Sequence, residues 1–125
     1  MIAFDSEKVL LLQQLLIEET GGATGLRDFG LLESALASAF QTFDGKELFP
    51  TKQEKAAKIG YALVSHHAFV DGNKRIGIYV MLTFLEVNGI HIDPSNDEIV
   101  RVGLSLADGT MGYEELLAWI LTNQL

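Results

Sequence analysis

The sequence predicts an all-α protein, a compact bundle of about six helices in one domain that spans residues 1–125. Apolar residues recur at three- and four-residue steps through most of the chain, which is the period of a helix with one buried face. Capping and helix-ending residues separate these periodic segments. The chain has only two prolines and neither an internal repeat nor a low-complexity linker, so nothing divides it into smaller domains.

The first two predicted helices precede residue 41. The first spans Ser6–Glu19 and ends before the pair Gly21–Gly22, because glycine favours helix ends. The second spans Asp28–Phe40, with Asp28 as a candidate N-cap. Their apolar stripes consist of Val9, Leu12, Leu15 and Leu16 in the first helix, and of Leu32, Ala35, Leu36, Ala39 and Phe40 in the second.

A small β-hairpin is predicted before the third helix, in the segment QTFDGKELFP. Asp44 and Gly45 stand at its centre, and an Asp-Gly pair favours a two-residue hairpin turn because both residues tolerate positive φ. Phe43 and Leu48 flank this turn on either side.

The third and fourth helices form the predicted core. Thr51 and Glu54 have the spacing of a capping box, and the third helix runs from there to His67. Its apolar face consists of Ala56, Ile59, Leu63 and His67. The fourth helix spans Lys74–Asn88 and ends at Gly89; since it is apolar nearly all round, it belongs at the centre of the bundle.

Two further helices complete the bundle. Ser95 and Glu98 form a second capping box, which predicts a helix that continues through Ala107. The last helix spans Tyr113–Thr122, with an apolar face of Leu116, Leu117, Trp119 and Ile120.

Composition and charge exclude several classes of function. The chain has no cysteine, which excludes disulfides and thiolate metal sites and favours a cytoplasmic location. With 9 basic and 17 acidic side chains, its formal charge is −8, so it does not suit direct binding to nucleic acid. Acidic residues precede the first apolar stretch, unlike a secretory signal, and the longest uncharged apolar stretch, Ile76–Leu85, is too short to cross a membrane.

The segment HAFVDGNKR, residues 67–75, carries the chemistry of the chain. Asn73 is a candidate N-cap, so Lys74 and Arg75 fall in the first turn of a helix, where the helix dipole disfavours cations. A bound phosphate would reverse this, because backbone N–H groups and both side chains would then face one anion. Gly72 allows the backbone to approach such a ligand closely.

Other residues of this segment complete a site for transfer of a phosphorus group to a hydroxyl. Asp71 offers an oxygen ligand for Mg²⁺ bound to a polyphosphate, and His67 is a candidate general base. Phe69 is expected to anchor the loop in the core. The alternative for each residue is structural: a hydrogen-bonded histidine, an Asp-Gly turn and solvated cations. A metal centre built on His66, His67 and Asp71 is disfavoured, because adjacent histidines on a helix point in different directions.

These nine residues resemble the motif of the Fic/Doc superfamily, HxFx(D/E)(G/A)N(G/K)R, and match all its fixed positions. Residues 25–90 as a whole resemble the death-on-curing (Doc) toxin branch. The resemblance implies the compact Fic-fold helical bundle, with the motif loop between two central helices. It also implies that His67 deprotonates a target hydroxyl, that Asp71 binds Mg²⁺, and that residues 72–75 hold phosphates through side chains and backbone N–H groups.

Two positions favour the Doc branch over its nucleotide-transferring relatives. Lys74 stands where those relatives usually have glycine, and Ile78 stands where they have a second arginine. The resemblance then implies a protein kinase that moves the γ-phosphate of ATP or another NTP to a threonine of translation elongation factor Tu. Ile76 departs from the family, which commonly has a threonine there. Nucleotidyl (AMP) transfer by the same residues is the alternative, and an inactive nucleotide- or partner-binding module is a second.

The resemblance also implies two protein contacts. The hairpin corresponds to a flap that docks an extended target strand, although it could equally be a plain surface hairpin. The flap residues are Thr42, Phe43, Asp44, Gly45, Lys46, Glu47 and Leu48. The self-inhibitory Ser/Thr-x-x-x-Glu-Gly/Asn motif does not occur in the chain, so restraint is expected from a cognate antitoxin with a disordered tail.

Overall fold

The structure, a computed structural model, describes residues 29–66 and 73–125. Within these residues the chain forms five α-helices and one antiparallel hairpin, which confirms the predicted all-α class. The predicted helix Ser6–Glu19 and the connection 67–72 lie outside the described residues. The elements are α1 Phe29–Ser38, β1 Thr42–Phe43, β2 Lys46–Glu47, α2 Lys52–His66, α3 Asn73–Val87, α4 Asn96–Asp108 and α5 Tyr113–Asn123.

The predicted helix ends agree with the observed ends to within two residues. The largest difference is at α1, which ends at Ser38 and not at Phe40. The Phe40 N–H donates to the Ala37 carbonyl at 3.0 Å, three residues earlier, so the chain leaves the helix through a tighter turn. The proposed N-cap of this helix, Asp28, lies outside the described residues.

The predicted capping box at α2 has both of its hydrogen bonds, and the one predicted at α4 has the first of its two. At α2 the Glu54 N–H donates to Thr51 Oγ1 at 3.0 Å, and the Thr51 N–H donates to Glu54 Oε1 at 3.2 Å. At α4 the Glu98 N–H donates to Ser95 Oγ at 3.2 Å. These short-range bonds satisfy N–H groups that the first turn of a helix leaves without partners, which is why the local sequence predicts them.

The core is formed mainly by α2 and α3, which pack against each other along their length. Their buried residues are Ala56, Ala57, Ile59, Ala62, Leu63 and Val64 in α2, and Ile78, Val80, Met81, Phe84 and Leu85 in α3. The apolar α3 thus supplies much of the core, as predicted, although its main neighbours among the described helices are α2 and α4. Among the described helices, α2 packs on all four others, because its small alanine and glycine residues let several neighbours approach. None of the helices in these two ranges is long and apolar enough to cross a membrane.

Two glycines allow α2 and α3 to approach closely. A Cβ atom built on Gly77 would lie 2.7 Å from Val64 Cγ2 and 3.2 Å from the Gly60 carbonyl oxygen. A Cβ atom on Gly60 would lie 3.0 Å from Met81 Sδ. Because real side chains do not approach this closely, the spacing of the two helices depends on both positions being glycine.

Candidate functional site

The predicted site lies at the connection between α2 and α3. His67, Phe69, Asp71 and Gly72 fall in the segment 67–72, outside the described residues. The helix α3 begins at Asn73, so Asn73, Lys74 and Arg75 are its first three residues. The structure therefore places the two cations in the first turn of a helix, as the sequence predicts.

The packing of α2 on α3 brings the two ends of the site together. Gly60 faces Met81 and Val64 faces Gly77, so the helices run antiparallel. Continued by two residues, this register places the last residue of α2, His66, level with Arg75. The described residues on either side of the connection 67–72, His66 and Asn73, therefore lie at the same end of the α2–α3 pair.

The charges at the start of α3 favour an anion. The first turn has no acidic residue, although acidic residues are preferred there, and Lys74 and Arg75 are both cationic. Each cation at this end of a helix costs about 0.3–1 kcal/mol without a counter-charge. Backbone N–H groups of the first turn point out of the helix without intrahelical partners. A phosphate group at this end of α3 would offset that cost and accept hydrogen bonds from these N–H groups.

A metal site is not formed by the described residues alone. In residues 29–66 and 73–125, no group of three histidine, aspartate or glutamate side chains comes close enough together to hold a metal ion. The predicted Mg²⁺ ligand, Asp71, lies outside these ranges. Magnesium usually takes only one or two carboxylates and completes its coordination with phosphate oxygens and water. Binding together with a nucleotide at the start of α3 is consistent with that chemistry.

A cleft beside the second half of α2 is a feature that the sequence analysis missed. Its volume is about 310 Å³, and its lining residues are Tyr61, Val64, Leu106, Ala107, Asp108, Gly109, Met111 and Gly112. Thr110 donates to the Asp108 carboxylate from its Oγ1 at 2.7 Å and from its N–H at 2.9 Å. These hydrogen bonds hold the pKa of Asp108 below its ordinary value. A lining with a carboxylate and no cation does not suit a phosphate, so the cleft does not replace the start of α3 as the nucleotide site.

The predicted hairpin, whose residues 42–48 are those of the expected flap, is present as β1 and β2. Thr42 pairs with Glu47 and Phe43 with Lys46, and the Leu48 N–H donates to the Gln41 carbonyl at 3.0 Å. Asp44 and Gly45 have φ values of +54° and +76°, as in the predicted two-residue turn. The apolar side chains of Phe43 and Leu48 are 75% and 50% exposed. An edge strand with exposed apolar side chains is suited to pairing with an extended peptide.

Lys55 connects this flap to α2, and the sequence analysis did not identify it. The residue is only 1% exposed, and its Nζ donates to Glu47 Oε1 at 2.9 Å and to the Phe49 carbonyl oxygen. The ammonium also lies 5.3 Å from the centroid of the Phe40 ring. A signal was available: Lys55 lies four residues before Ile59, so a lysine interrupts the apolar face of the predicted helix.

Aromatic contacts hold the end of the flap segment against two helices. The Phe49 ring packs edge-on against Tyr113 of α5, with centroids 5.4 Å apart, and Lys58 Nζ lies 5.5 Å from the Phe49 centroid. Burial raises the pKa of the Tyr113 phenol, and the carboxylates of Glu54 and Glu114 raise it further. Tyr113 therefore stays a neutral packing residue at physiological pH.

Comparison with known proteins covers the motif and the elements that frame it. The model of the Fic/DOC family matches residues 3–85, which include α1, the flap, α2 and most of α3. A curated protein named Toxin Doc, from Mycolicibacterium smegmatis, is 40% identical over 72 residues. The match takes in 58% of this chain and 55% of that protein, so the chain spans about half the length of this relative.

Proposed function

This chain belongs to the Fic/DOC family, and from that premise we propose that it is a toxin that transfers the γ-phosphate of a nucleoside triphosphate to a protein hydroxyl. The observation that carries the proposal is the motif HAFVDGNKR together with the start of α3, where two cations stand at a helix N-terminus with no acidic residue. The name Toxin Doc of the 40% identical relative supports the toxin assignment.

The residues of the motif divide the reaction between them. Lys74, Arg75 and the backbone N–H groups of Gly72 and Asn73 hold the phosphates, and Asp71 holds Mg²⁺ together with phosphate oxygens. When bound, Mg²⁺ neutralises charge on those oxygens. His67 accepts the proton of the target hydroxyl. The acceptor oxygen then bonds to the γ-phosphorus, as the bond from that phosphorus to the nucleoside diphosphate breaks.

Phosphoryl transfer is favoured over nucleotidyl transfer by two residues of α3. Lys74 places a cation where the nucleotide-transferring relatives have glycine, which changes the space and charge available to the phosphates. Ile78, at the position of their second arginine, is fully buried in the core. This position therefore supplies no cation to the nucleotide, unlike the arginine of those relatives.

The proposed acceptor is a threonine of elongation factor Tu, presented on an extended segment that pairs with the flap. The exposed edge of the β1–β2 hairpin supports this docking mode. The proposed regulator is a cognate antitoxin whose disordered tail folds on the toxin, since the chain lacks a self-inhibitory motif of its own.

The position of a radioactive label in ATP distinguishes phosphoryl transfer from nucleotidyl transfer. Purified protein is incubated with Mg²⁺, elongation factor Tu and ATP labelled at either the α- or the γ-phosphate. We expect label on elongation factor Tu only from γ-labelled ATP, and none from the His67→Ala variant. Label that arrives only from α-labelled ATP would show nucleotidyl transfer and overturn the kinase proposal.

A further inference from the structure

Lys55 is the most deeply buried charge in the described part of the chain, and the hydrogen bonds of its ammonium to described residues go to the flap and to the residue that follows it. A lysine ammonium has three N–H donors. One is bonded to Glu47 of β2 and one to the Phe49 carbonyl just after it, and the ammonium also faces the ring of Phe40 just before β1. Phe40, which precedes the flap, and Phe49, which follows it, thus both contact the ammonium of Lys55 in α2.

These contacts make the orientation of the flap and the burial of Lys55 depend on each other. The stem of Lys55 lies in α2 beside the buried Ala56 and Ala57. If the flap moved away, the ammonium would lose its acceptors, and a buried charge without partners is strongly unfavourable. The ammonium of Lys55 is therefore satisfied when the flap has the position seen in the structure.

The internal hydrogen bonds of the hairpin cannot set the orientation of the flap on α2. The pairs Thr42–Glu47 and Phe43–Lys46 fix the shape of the flap, but they do not fix its direction relative to α2. The ammonium of Lys55, by contrast, connects α2 to the flap through its hydrogen bond to Glu47. Because α2 carries Lys55 near its beginning and leads into the motif loop at its end, the helix links the direction of the flap to the position of the site.

We infer that Lys55 is a positioning residue, which holds the flap at a set orientation on α2 so that a docked target strand presents its hydroxyl to the motif loop. The docked target strand in this inference rests on the proposed function, whereas the contact between Lys55 and the flap does not. The role is distinct from catalysis, since the hydrogen bonds of the Lys55 ammonium go to the flap segment and Lys55 lies near the opposite end of α2 from the motif loop.

The test uses Lys55→Met, which keeps the length of the side chain and removes its charge. This variant should fold, because the Glu47 carboxylate is half exposed and can return to water, and an apolar chain suits the buried site. Glu47→Gln is a second variant that keeps an oxygen acceptor but removes its charge. The matched control is Lys52→Met: Lys52 lies on the same helix but donates to the Asn88 carbonyl at 2.8 Å and not to the flap.

Flap orientation is measured directly by spin labels. The chain has no cysteine, so labels attached at Lys46→Cys on the flap and Arg101→Cys on α4 are the only ones. The distance between them, measured by double electron–electron resonance, should have a narrow distribution in the otherwise wild-type protein and in the Lys52→Met control. It should broaden in Lys55→Met. An unchanged distribution in Lys55→Met would overturn the inference.

Kinetics supply the second readout. In Lys55→Met the KM for the acceptor protein should rise about tenfold or more, while the KM for ATP stays within about twofold, since only target binding is lost. Glu47→Gln should raise the acceptor KM less. An equal rise in the KM for the acceptor protein and the KM for ATP would indicate general destabilisation and overturn the positioning role. If the wild type transfers no phosphate, the proposed function is wrong, while the spin labels still decide whether Lys55 orients the flap.

Discussion

Lys74 and Arg75 occupy the first turn of α3, where the helix dipole repels positive charge and no acidic neighbour in that turn offsets it. A ligand-free protein therefore carries a local electrostatic cost at these residues. Binding sites commonly retain such costs, because the same charges that destabilise the free protein attract the ligand. Function and stability should thus respond in opposite directions when these side chains are neutralised.

We predict that Lys74→Gln and Arg75→Gln each raise the ligand-free unfolding free energy by about 0.3–1 kcal/mol. Each variant should also lose most of the stabilisation that Mg-ATP gives to the wild type. Urea unfolding with and without Mg-ATP measures both effects. Arg101→Gln, an exposed change in α4, is the control and should alter neither. Lower ligand-free stability together with unchanged Mg-ATP stabilisation would contradict the phosphate site.

Tyr113 gives a pH-dependent contribution to stability. Its pKa is raised above the ordinary value of 10.0 in the folded state, first by burial and then by Glu54 and Glu114. The folded state therefore holds the phenolic proton more tightly than the unfolded state does. The resulting stability is fully present below about pH 10 and is lost as the pH rises through the raised pKa.

We predict that the unfolding free energy falls between pH 9 and pH 11 by less in Tyr113→Phe than in the wild type. Phenylalanine keeps the edge-on contact with Phe49 but has no proton to lose. Chemical denaturation at a series of pH values measures the difference between the two proteins, so that contributions from other titrating groups cancel. Parallel pH profiles would show that Tyr113 is not the source.

The contact between α2 and α3 matters most among the elements, because these helices frame the motif loop. Their close approach at Gly60 and Gly77 sets the spacing at the base of the connection. At Gly77 an added Cβ meets a backbone oxygen and the branched side chain of Val64, neither of which moves easily. At Gly60 it meets the thioether of Met81, which is flexible.

We therefore predict that Gly77→Ala destabilises the protein by up to about 2 kcal/mol, because a gain in helix propensity of about 1 kcal/mol offsets only part of an overpacking cost of about 1–3 kcal/mol. Gly60→Ala should cost less. The cost of Gly77→Ala should also shrink in a Val64→Ala background, which removes the nearest atom. Thermal or urea unfolding of these variants measures the order, and a larger cost for Gly60→Ala would contradict this account of the packing.

At the scale of the whole molecule, the formal charge of −8 contrasts with a small cationic site. Two of the nine basic residues are adjacent at the start of α3. An acidic surface repels extended polyanions such as nucleic acid, whereas a single Mg-bound nucleotide carries less charge and meets only the local cations. For the proposed antitoxin, the same surface would favour a contact region that is basic.

We predict that expression of this chain arrests bacterial growth and that either His67→Ala or Asp71→Ala relieves the arrest. Growth curves after induction measure the effect, with circular dichroism of the purified variants to show that each one folds. If the folded variants are as toxic as the wild type, the proposal of catalysis at this loop is wrong. It would favour the alternative of a helical module that acts by binding alone.

Several features of the molecule were predictable because short-range interactions determine them. Capping boxes at Thr51 and Ser95 involve residues three positions apart, and the hairpin turn depends on Asp44 and Gly45 alone. Helix periodicity likewise follows from neighbouring residues. The motif at residues 67–75 could be recognised from its letters, although most of that loop lies outside the described residues.

Other features depended on how distant elements meet, and only the tertiary structure decided them. Lys55 interrupts the apolar face of its helix in the sequence, but its partners are decided only when the flap folds back over it. Gly77 looks like a weak point in a helix until α2 packs against it. Ile78 likewise belongs to the core because of which face α3 turns inward. Local sequence determines which elements form, since their bonds are local. Burial of a given side chain depends on contacts between residues far apart in the chain, which periodicity alone does not specify.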